Sequence, residues 1–261
     1  MKVLYVAGEI APFSETTETA RLIRVLPEAV QEAGGVETRI MMPRYGVVSE
    51  RRNRLHEVIR LSGAEIHAGS EKDTLHVKVA SIPGIRLQVY FMDSVRFFKR
   101  KGLHRDVKTG EVFPDNAARA LFFARAAIST ARQLGWAPDI IHASGWIAGF
   151  VPVLLRTELA GDPLFAGAKA LYTPDVTDTE VRVTKEQAAA FELPAAIAGK
   201  DLREIGMAWA DGVAFAPGDP LAKSRSKSRP TGPTLSGTKE QVAGPVLELY
   251  TALAGRRELA A

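Results

Sequence analysis

The chain has 261 residues, of which 46% are hydrophobic and 25% are charged, a balance typical of a globular domain with one core. This length suits one α/β domain with its loops and is too short for two. The absence of cysteine excludes disulfides, thiolate catalysis and zinc sites built on cysteine. Because no apolar run reaches the roughly 18 residues of a membrane span and Lys2 leads straight into a strand, we expect a cytoplasmic protein without membrane contacts.

The net charge of +4 is concentrated near the C-terminus. From Gly218 onward the chain carries seven basic and four acidic residues, which leaves the first 217 residues close to neutral. A basic surface is the usual electrostatic mark of nucleic-acid binding, and the globular part lacks one. We therefore expect no nucleic-acid partner, although an RNA-binding adaptor that acts through the basic tail remains an alternative.

The chain opens with a predicted βαβ unit. Residues 3–7 form a continuous apolar run, as in a buried strand of a parallel sheet. Residues 19–33 place Leu22, Leu26 and Val30 on one helical face, and Gly34 with Gly35 ends that helix. A second strand follows at residues 37–42, so the connection is expected to be a right-handed crossover.

Residues 55–91 show a different pattern. Apolar and polar residues alternate in the runs 56–61, 74–80 and 86–91, and turn-rich pieces separate these runs. The pattern predicts an antiparallel excursion inserted in or beside the sheet. His67 and His76 lie in it without partners at the spacing of metal ligands, so we interpret them as ordinary strand residues.

The rest of the first 217 residues alternates between helices and strands. Helices are predicted at residues 116–134, 146–157 and 201–210, and strands at residues 139–143, 168–172 and 212–216. Such alternation is typical of a doubly wound, mostly parallel sheet of the Rossmann-like α/β class. Ligands of such sheets bind beyond the carboxyl ends of the strands.

Two further segments are predicted after this domain. Residues 218–239 are rich in Ser, Pro, Lys and Arg, a composition that cannot bury a core and indicates a disordered linker. Residues 240–261 contain a C-terminal helix with Val246, Tyr250 and Leu253 on one side. This apolar side either covers the chain's own sheet or docks on another subunit, and the sequence does not decide between the two.

The turn between the first strand and the first helix is unusually acidic. A helix N-terminus holds a phosphate when glycines allow close approach and a lysine adds charge. This turn has neither, and it consists of Glu15, Thr16, Thr17, Glu18 and Thr19. We expect a well-capped structural helix, whose two carboxylates would repel a bound diphosphate.

Several polar residues are predicted to meet in one crevice. Glu9 follows the first strand and His142 ends a later one, so both are expected at the same edge of the sheet. The candidate pocket consists of Glu9, Asp115, Asn116, Arg119, His142, Ser144 and Trp146. Structural roles are the alternative, with Asp115 as a helix N-cap, His142 bonded to a loop and Trp146 packed under a helix. No catalytic residue, metal site or cofactor is predicted, and no nucleophile elbow surrounds Ser144.

These segments resemble the N-terminal domain of glycogen and starch synthases, one half of a GT-B glycosyltransferase. Gly8, Glu9 and Pro12 match the approach to the family's nucleotide-sugar turn, but of the Lys-Thr-Gly-Gly-Leu turn itself only Thr16 is kept. The runs at 42–46, 113–123 and 139–146 match three further family segments in the same order. In the last of these, Ser144 and Gly145 replace a His and an Asp that are thought to lie against the sugar.

The resemblance implies a retaining hexosyltransferase that needs a second facing domain, which supplies most contacts to the nucleotide sugar. We therefore hypothesise a stand-alone, degenerate domain that has lost transferase chemistry and binds glucan or a partner in storage-polysaccharide metabolism. The alternative is an active glucosyltransferase that extends α-1,4-glucan from ADP-glucose with a separately encoded second domain. The expected partners are accordingly ADP-glucose or glucan and a protein that supplies the missing domain.

Overall fold

The computed structural model describes residues 1–223 and 232–255. Its strands are β1 (Lys2–Ala7), β2 (Glu37–Pro43), β3 (His56–Glu57), β4 (Glu65–Ala68), β5 (Glu71–Thr74), β6 (His76–Ser81), β7 (Gln88–Asp93), β8 (Ile140–Ser144), β9 (Lys169–Thr173) and β10 (Gly212–Val213). Its α-helices are α1 (Glu18–Glu32), α2 (Glu50–Asn53), α3 (Val95–Phe98), α4 (Asn116–Gln133), α5 (Val151–Arg156), α6 (Lys185–Ala190), α7 (Leu202–Trp209) and α8 (Lys239–Ala254).

Eight of the strands form one sheet in the order β10-β9-β8-β1-β2-β7-β6-β3. The six strands from β10 to β7 run parallel, and β6 and β3 continue the sheet antiparallel. A separate hairpin of β4 and β5 packs on α4. This arrangement confirms the predicted α/β class with an antiparallel excursion and a C-terminal helix.

The strand order reverses between β1 and β8, where chain connections leave in opposite directions. The core strands are apolar and buried, with Val3, Leu4, Ile140 and Ile141 inaccessible to solvent. The helices α1 and α8 pack against each other on this sheet, whereas α4, α5 and α7 form a second layer. The crevice expected for a ligand therefore lies at the carboxyl ends of β1 and β8.

Two predicted elements are shorter than expected. The helix predicted at 146–157 is a 3-10 turn at Trp146–Ala148 followed by α5, in whose first turn Pro152 lacks the N–H that a continuous helix would use. The strand predicted at 212–216 pairs only at Gly212–Val213. Phe215 instead forms a bridge with Thr234.

The C-terminal helix α8 covers the chain's own sheet. Its side chains Val246 and Tyr250 are fully buried, and Lys239 pairs with Glu32 of α1 at 2.7 Å. Of the predicted linker 218–239, residues 224–231 lie outside the described residues. At its described end Leu235 is buried and donates its N–H to the carbonyl of Phe215. The segment 256–261 after the helix also lies outside the described residues.

Candidate functional site

The loops that follow β1, β8 and β9 meet at the carboxyl edge of the sheet. The N–H of Gly8 donates to the carbonyl of Ser144 at 2.8 Å, and the N–H of Gly145 donates to the carbonyl of Thr173 at 3.0 Å. A Cβ on Gly8 would lie 3.1 Å from the side chain of Ile147 and 3.3 Å from the Ser144 carbonyl. Glycine at position 8 thus allows the β1 and β8 loops to approach closely.

The carboxylate of Glu9 occupies the hydrogen-bond donors of the turn before α1. It accepts from the hydroxyl of Thr16 at 2.6 Å, from the N–H of Thr16 at 3.2 Å and from the hydroxyl of Ser14. The hydroxyl of Thr17 is 3.5 Å away. A charged acceptor makes hydrogen bonds about twice as strong as neutral ones. The donors of this turn are therefore already bonded to an anion, the carboxylate of Glu9.

The other acidic residues of this turn face solvent. Glu15 and Glu18 are both ion-paired with Arg21, the former at 2.6 Å. The expectation that these two carboxylates repel a diphosphate therefore overlooked a cation that compensates part of their charge. The donors of the turn are taken by Glu9 instead, a contact that the sequence interpretation did not foresee.

The two threonines that flank Glu18 have structural roles. Thr17 is the N-cap of α1 and accepts from the N–H of Ala20 at 3.3 Å. The buried hydroxyl of Thr19 donates to the carbonyl of Pro174 at 3.1 Å, which ties the start of α1 to the loop after β9. The prediction of a well-capped helix agrees with these contacts.

Asn116 and Arg119 hold the loop that precedes α4. Arg119 is fully buried and donates to the carbonyls of Phe97 and Leu103 at 2.7 and 2.6 Å and to the side chain of Asn116 at 2.6 Å. The amide of Asn116 donates to the carbonyl of His104 at 2.8 Å. Burial lowers the pKa of Arg119 to about 10. These two residues position residues 97–104, and the Nη2 of Arg119 has no hydrogen-bond partner in the described part of the chain.

Asp115 forms an ion pair with Arg100, with 2.6 Å between Nη1 and Oδ1. Partial burial acts to raise the pKa of Asp115, but the bonds and charge of Arg100 outweigh it, and the pKa is lowered. Its side chain makes no capping bond to α4, although its residue is in the N-cap position. Asp115 therefore occupies the expected N-cap position, but its carboxylate bonds to Arg100 and not to the helix.

His142 faces α8 and not the crevice. Its Nδ1 lies 2.7 Å from the hydroxyl of Tyr250, and its Nε2 lies 2.8 Å from the hydroxyl of Thr173. Tyr250 in turn donates to the hydroxyl of Tyr5 at 2.9 Å. Complete burial lowers the pKa of His142 to about 3, so the imidazole is neutral. The structure thus separates His142 from the other candidate residues.

Ser144 and Trp146 do lie at the crevice edge. The hydroxyl of Ser144 is buried and has no hydrogen-bond partner in the described part of the chain. The indole of Trp146 is 5% exposed and meets the ring of His104 edge to face at 6.4 Å. The N–H of Trp146 donates to Asp175 at 2.9 Å.

Asp175 is a residue that the sequence interpretation missed. Its side chain lies beside Gly145, where a Cβ would be 3.4 Å from Oδ2. Burial raises its pKa to about 7, against the opposing charge of Arg203. The signal in the sequence was its place three residues after the predicted strand 168–172, at the edge where such sheets bind ligands.

A cavity of about 260 Å³ opens next to Asp175 at the ends of β9 and β10. Its charged lining consists of Asp175, Glu180, Asp201, Arg203, Glu204 and Asp219. No group of three or more metal-ligating side chains occurs within residues 1–223 and 232–255. Across the same ranges, no helix is long and apolar enough to cross a membrane.

The structure thus brings Glu9, Ser144 and Trp146 to one edge and adds Asp175 to them. Asn116, Arg119 and Asp115 support the adjoining loop, and His142 anchors the C-terminal helix. At this edge the carboxylates of Glu9 and Asp175 accept hydrogen bonds from neighbouring residues, whereas the hydroxyl of Ser144 has no partner in the described part of the chain.

Comparison with known proteins gives a family match over residues 2–215, to the starch synthase catalytic domain. The chain is 42% identical over 172 residues to the glycogen synthase of Chlorobium phaeobacteroides. The matched segment covers 66% of this chain and 35% of that relative. It is 41% identical over 172 residues to the glycogen synthase of Chlorobaculum tepidum, with the same coverage. The chain therefore spans about a third of the length of these curated relatives.

A solved structure has the same fold. The catalytic domain of starch synthase IV from Arabidopsis thaliana, bound to ADP and acarbose, superposes with a TM-score of 0.70 at 17% identity, covering 97% of this chain and 50% of that one. At this identity the likeness concerns the fold alone. Since the family match extends over most of the chain, the protein belongs to the starch synthase catalytic domain family and is homologous to the N-terminal part of glycogen synthases.

Proposed function

We propose that this domain does not transfer glucose at its own crevice and acts as a binding or regulatory element in storage-polysaccharide metabolism. The observation that carries the proposal is the set of hydrogen bonds from Ser14 and Thr16 to Glu9. A phosphate at this turn would need the same donors, and it would meet the Glu9 charge in place of a cation.

The surrounding charges support the same proposal. Asp175 lies deeper in the crevice than Glu9, and its ionised form would add a second negative charge near the same position. The buried guanidinium of Arg119 donates through Nε and Nη1 to two carbonyls and to Asn116, and only its Nη2 is without a partner in the described part of the chain. Neutral polyhydroxyl ligands such as glucan avoid this electrostatic cost, because their hydroxyls can donate to carboxylates.

The test is a titration of the purified protein with ADP, ADP-glucose and a malto-oligosaccharide, followed by a transfer assay with labelled ADP-glucose and glycogen. The proposal predicts binding of the oligosaccharide, no occupancy of the crevice by ADP and no label transfer. Transfer at enzymatic rates by this chain would overturn it. Glu9→Ala tests the cause, because it frees the donors of Ser14 and Thr16. The matched control is Glu111→Ala, which removes an exposed carboxylate elsewhere.

A second candidate function is glucosyl transfer from ADP-glucose by this domain together with a second domain. The identity of 42% to a glycogen synthase over 172 residues favours it, and the solved starch synthase of the same fold was bound to ADP and acarbose. This function requires that a partner domain displaces Glu9 from the turn. Activity that appears only when the missing half is added in trans would support it over the first proposal.

A further inference from the structure

Outside the crevice, the arginines of this protein divide into two groups. Twelve of the arginines at described positions form ion pairs with carboxylates: Arg21, Arg24, Arg39, Arg44, Arg96, Arg100, Arg105, Arg125, Arg132, Arg156, Arg182 and Arg203. The exposed arginines without a carboxylate within 4.0 Å, in the same described part, all belong to the antiparallel excursion and its approach: Arg51, Arg52, Arg54, Arg60 and Arg86. Among the described arginines, the exposed ones without a carboxylate partner are therefore clustered in one region, whereas lysines without an ion pair, such as Lys108 and Lys185, lie elsewhere.

The acidic residues of this region are already engaged. Glu50 pairs with Arg44 at 3.0 Å and with Lys78 at 2.8 Å, and Glu57 lies 2.8 Å from the Nδ1 of His76. These contacts leave the neighbouring arginines without an internal counter-ion. Their guanidinium N–H groups are therefore available to an anion from solution.

Two adjacent cavities lie among these arginines, and we call them together the outer groove. The larger, of about 500 Å³, is lined by Arg52, Arg54, His56 and the ring of Phe13. The smaller, of about 400 Å³, contains Arg86. Both cavities are lined in part by Ser81 and Gln88, so they lie side by side where β6 ends and β7 begins. Their volumes are within the range of pockets that bind small molecules.

The backbone at Arg54 is a second, independent observation. Arg54 has φ 51° and ψ 47°, a left-handed conformation, and it closes the short helix α2. Glycine is the usual residue at such a position, and a residue with a side chain there costs free energy. This residue with a left-handed backbone is one of those that line the larger cavity. Residues in such conformations concentrate at ligand-binding sites.

We propose that the outer groove binds a phosphorylated small molecule, a phosphate monoester of a sugar or similar polyol. The guanidinium groups of Arg52 and Arg54 suit the phosphate, because each presents parallel N–H donors to two oxygens. The hydroxyl of Ser81 and the amide of Gln88 can bond to the hydroxyls of the polyol in the shared part of the groove. The proposal is independent of the one made for the crevice.

The outer groove also adjoins the crevice through one loop. Phe13 lines the larger cavity and packs edge to face on Phe91 at 5.0 Å. The next residue, Ser14, donates to Glu9. A ligand in the groove would therefore contact the same loop that holds the carboxylate of Glu9 in its turn.

The test is calorimetric titration of the full chain with ribose 5-phosphate, with ribose and inorganic phosphate as comparisons. The double variant Arg52→Ala/Arg54→Ala is compared with Arg51→Ala/Arg60→Ala, which removes the same charge from the same region without altering either cavity lining. We expect ribose 5-phosphate to bind more tightly than ribose or phosphate, and the first double variant to weaken it at least tenfold. The control variant should bind within about threefold of the wild type.

Equal losses in both double variants would overturn the proposal, since they would indicate charge attraction without a site. Absence of binding at millimolar concentration, or equally tight binding of inorganic phosphate, would overturn it as well. Arg54→Gly separates binding from folding, because glycine adopts the left-handed conformation freely. It should keep the melting temperature of the wild type and lose affinity.

Discussion

The crevice and the outer groove of this protein differ in whether their charged side chains have partners within the protein. In the crevice, Glu9 bonds to the turn before α1, Asp175 accepts from the N–H of Trp146, and Glu15 and Glu18 pair with Arg21. In the outer groove, Arg52 and Arg54 have no carboxylate within 4.0 Å among the residues that the structure describes. The difference teaches that charged groups at the carboxyl edge of a sheet can be held by neighbouring side chains, whereas charged groups beside a surface cavity can lack such partners. Substitutions in the crevice should therefore cost stability, and substitutions in the groove should cost binding.

The largest effect is expected where α8 closes the sheet behind the crevice. Tyr250→Ala removes a fully buried ring and leaves His142 without one of its partners. Loss of a large buried aromatic side chain costs about 3–5 kcal/mol. Tyr250→Phe keeps the ring and loses only its hydroxyl bonds, for about 1–2 kcal/mol. Urea denaturation measures both values, and near-equal stability of Tyr250→Ala and wild type would show that α8 does not hold this face.

The next effect concerns pH. Burial raises the pKa of Asp175 to about 7, whereas an unfolded aspartate has a pKa near 3.9. The folded protein thus binds the proton of Asp175 more tightly than the unfolded chain does. Protonation of Asp175 therefore stabilises the folded state fully below about pH 4, and this stabilisation is lost as the pH rises to about 7. Asp175→Asn removes this dependence and should be more stable than wild type at pH 8, by roughly 1–3 kcal/mol.

His142 provides an internal comparison for this pH experiment, because its ionisation changes the stability with pH in the opposite direction to that of Asp175. Its pKa is lowered to about 3, so its neutral form stabilises the native state and this stabilisation is lost as the pH falls below about 6.5. In Asp175→Asn only the histidine effect remains, and stability should fall more steeply on acidification from pH 6.5 to 4 than in wild type. Identical pH profiles of the two proteins would contradict the assignment for Asp175.

A smaller effect is expected at the turn. Glu9→Ala breaks charged hydrogen bonds to Ser14 and Thr16 that are partly open to solvent, at a cost of about 1–2 kcal/mol. The same change frees the donors, so ADP should bind the variant more tightly than the wild type. Thermal denaturation with and without ADP measures both consequences. The control Glu111→Ala should change stability by less than about 0.5 kcal/mol, and a nucleotide response equal to that of Glu9→Ala would contradict the role of Glu9.

The smallest effect on stability is expected in the outer groove. Arg54→Gly relieves a left-handed backbone, and the greater freedom of glycine in the unfolded chain offsets this gain. The net change should be within about 1 kcal/mol of zero, measured by urea denaturation. A loss of several kcal/mol would show that Arg54 supports the fold and would weaken the contrast between the two regions.

The sequence predicted the fold well, but it did not reveal the contacts of several candidate site residues, for a physical reason. The buried strands at Lys2–Ala7 and Ile140–Ser144 and the long helices are determined by local apolar patterns. The roles of His142 and Arg119 depend on Tyr250 and on the loop at 97–104, which are distant along the chain. No local pattern reveals which of two faces a strand histidine takes. The cation that pairs with Glu15, in contrast, is Arg21, only six residues away. This ion pair could have been predicted from the sequence.

The most direct measurement is an amide-resolved NMR titration of the chain with ADP-glucose. If Glu9 closes the turn, the amides of Thr16, Gly145 and Trp146 keep their positions at millimolar ligand, and any shifts occur near Arg52 and Arg54. Saturable shifts at Thr16 and Gly145 in the wild type, unchanged in Arg52→Ala/Arg54→Ala, would contradict the account.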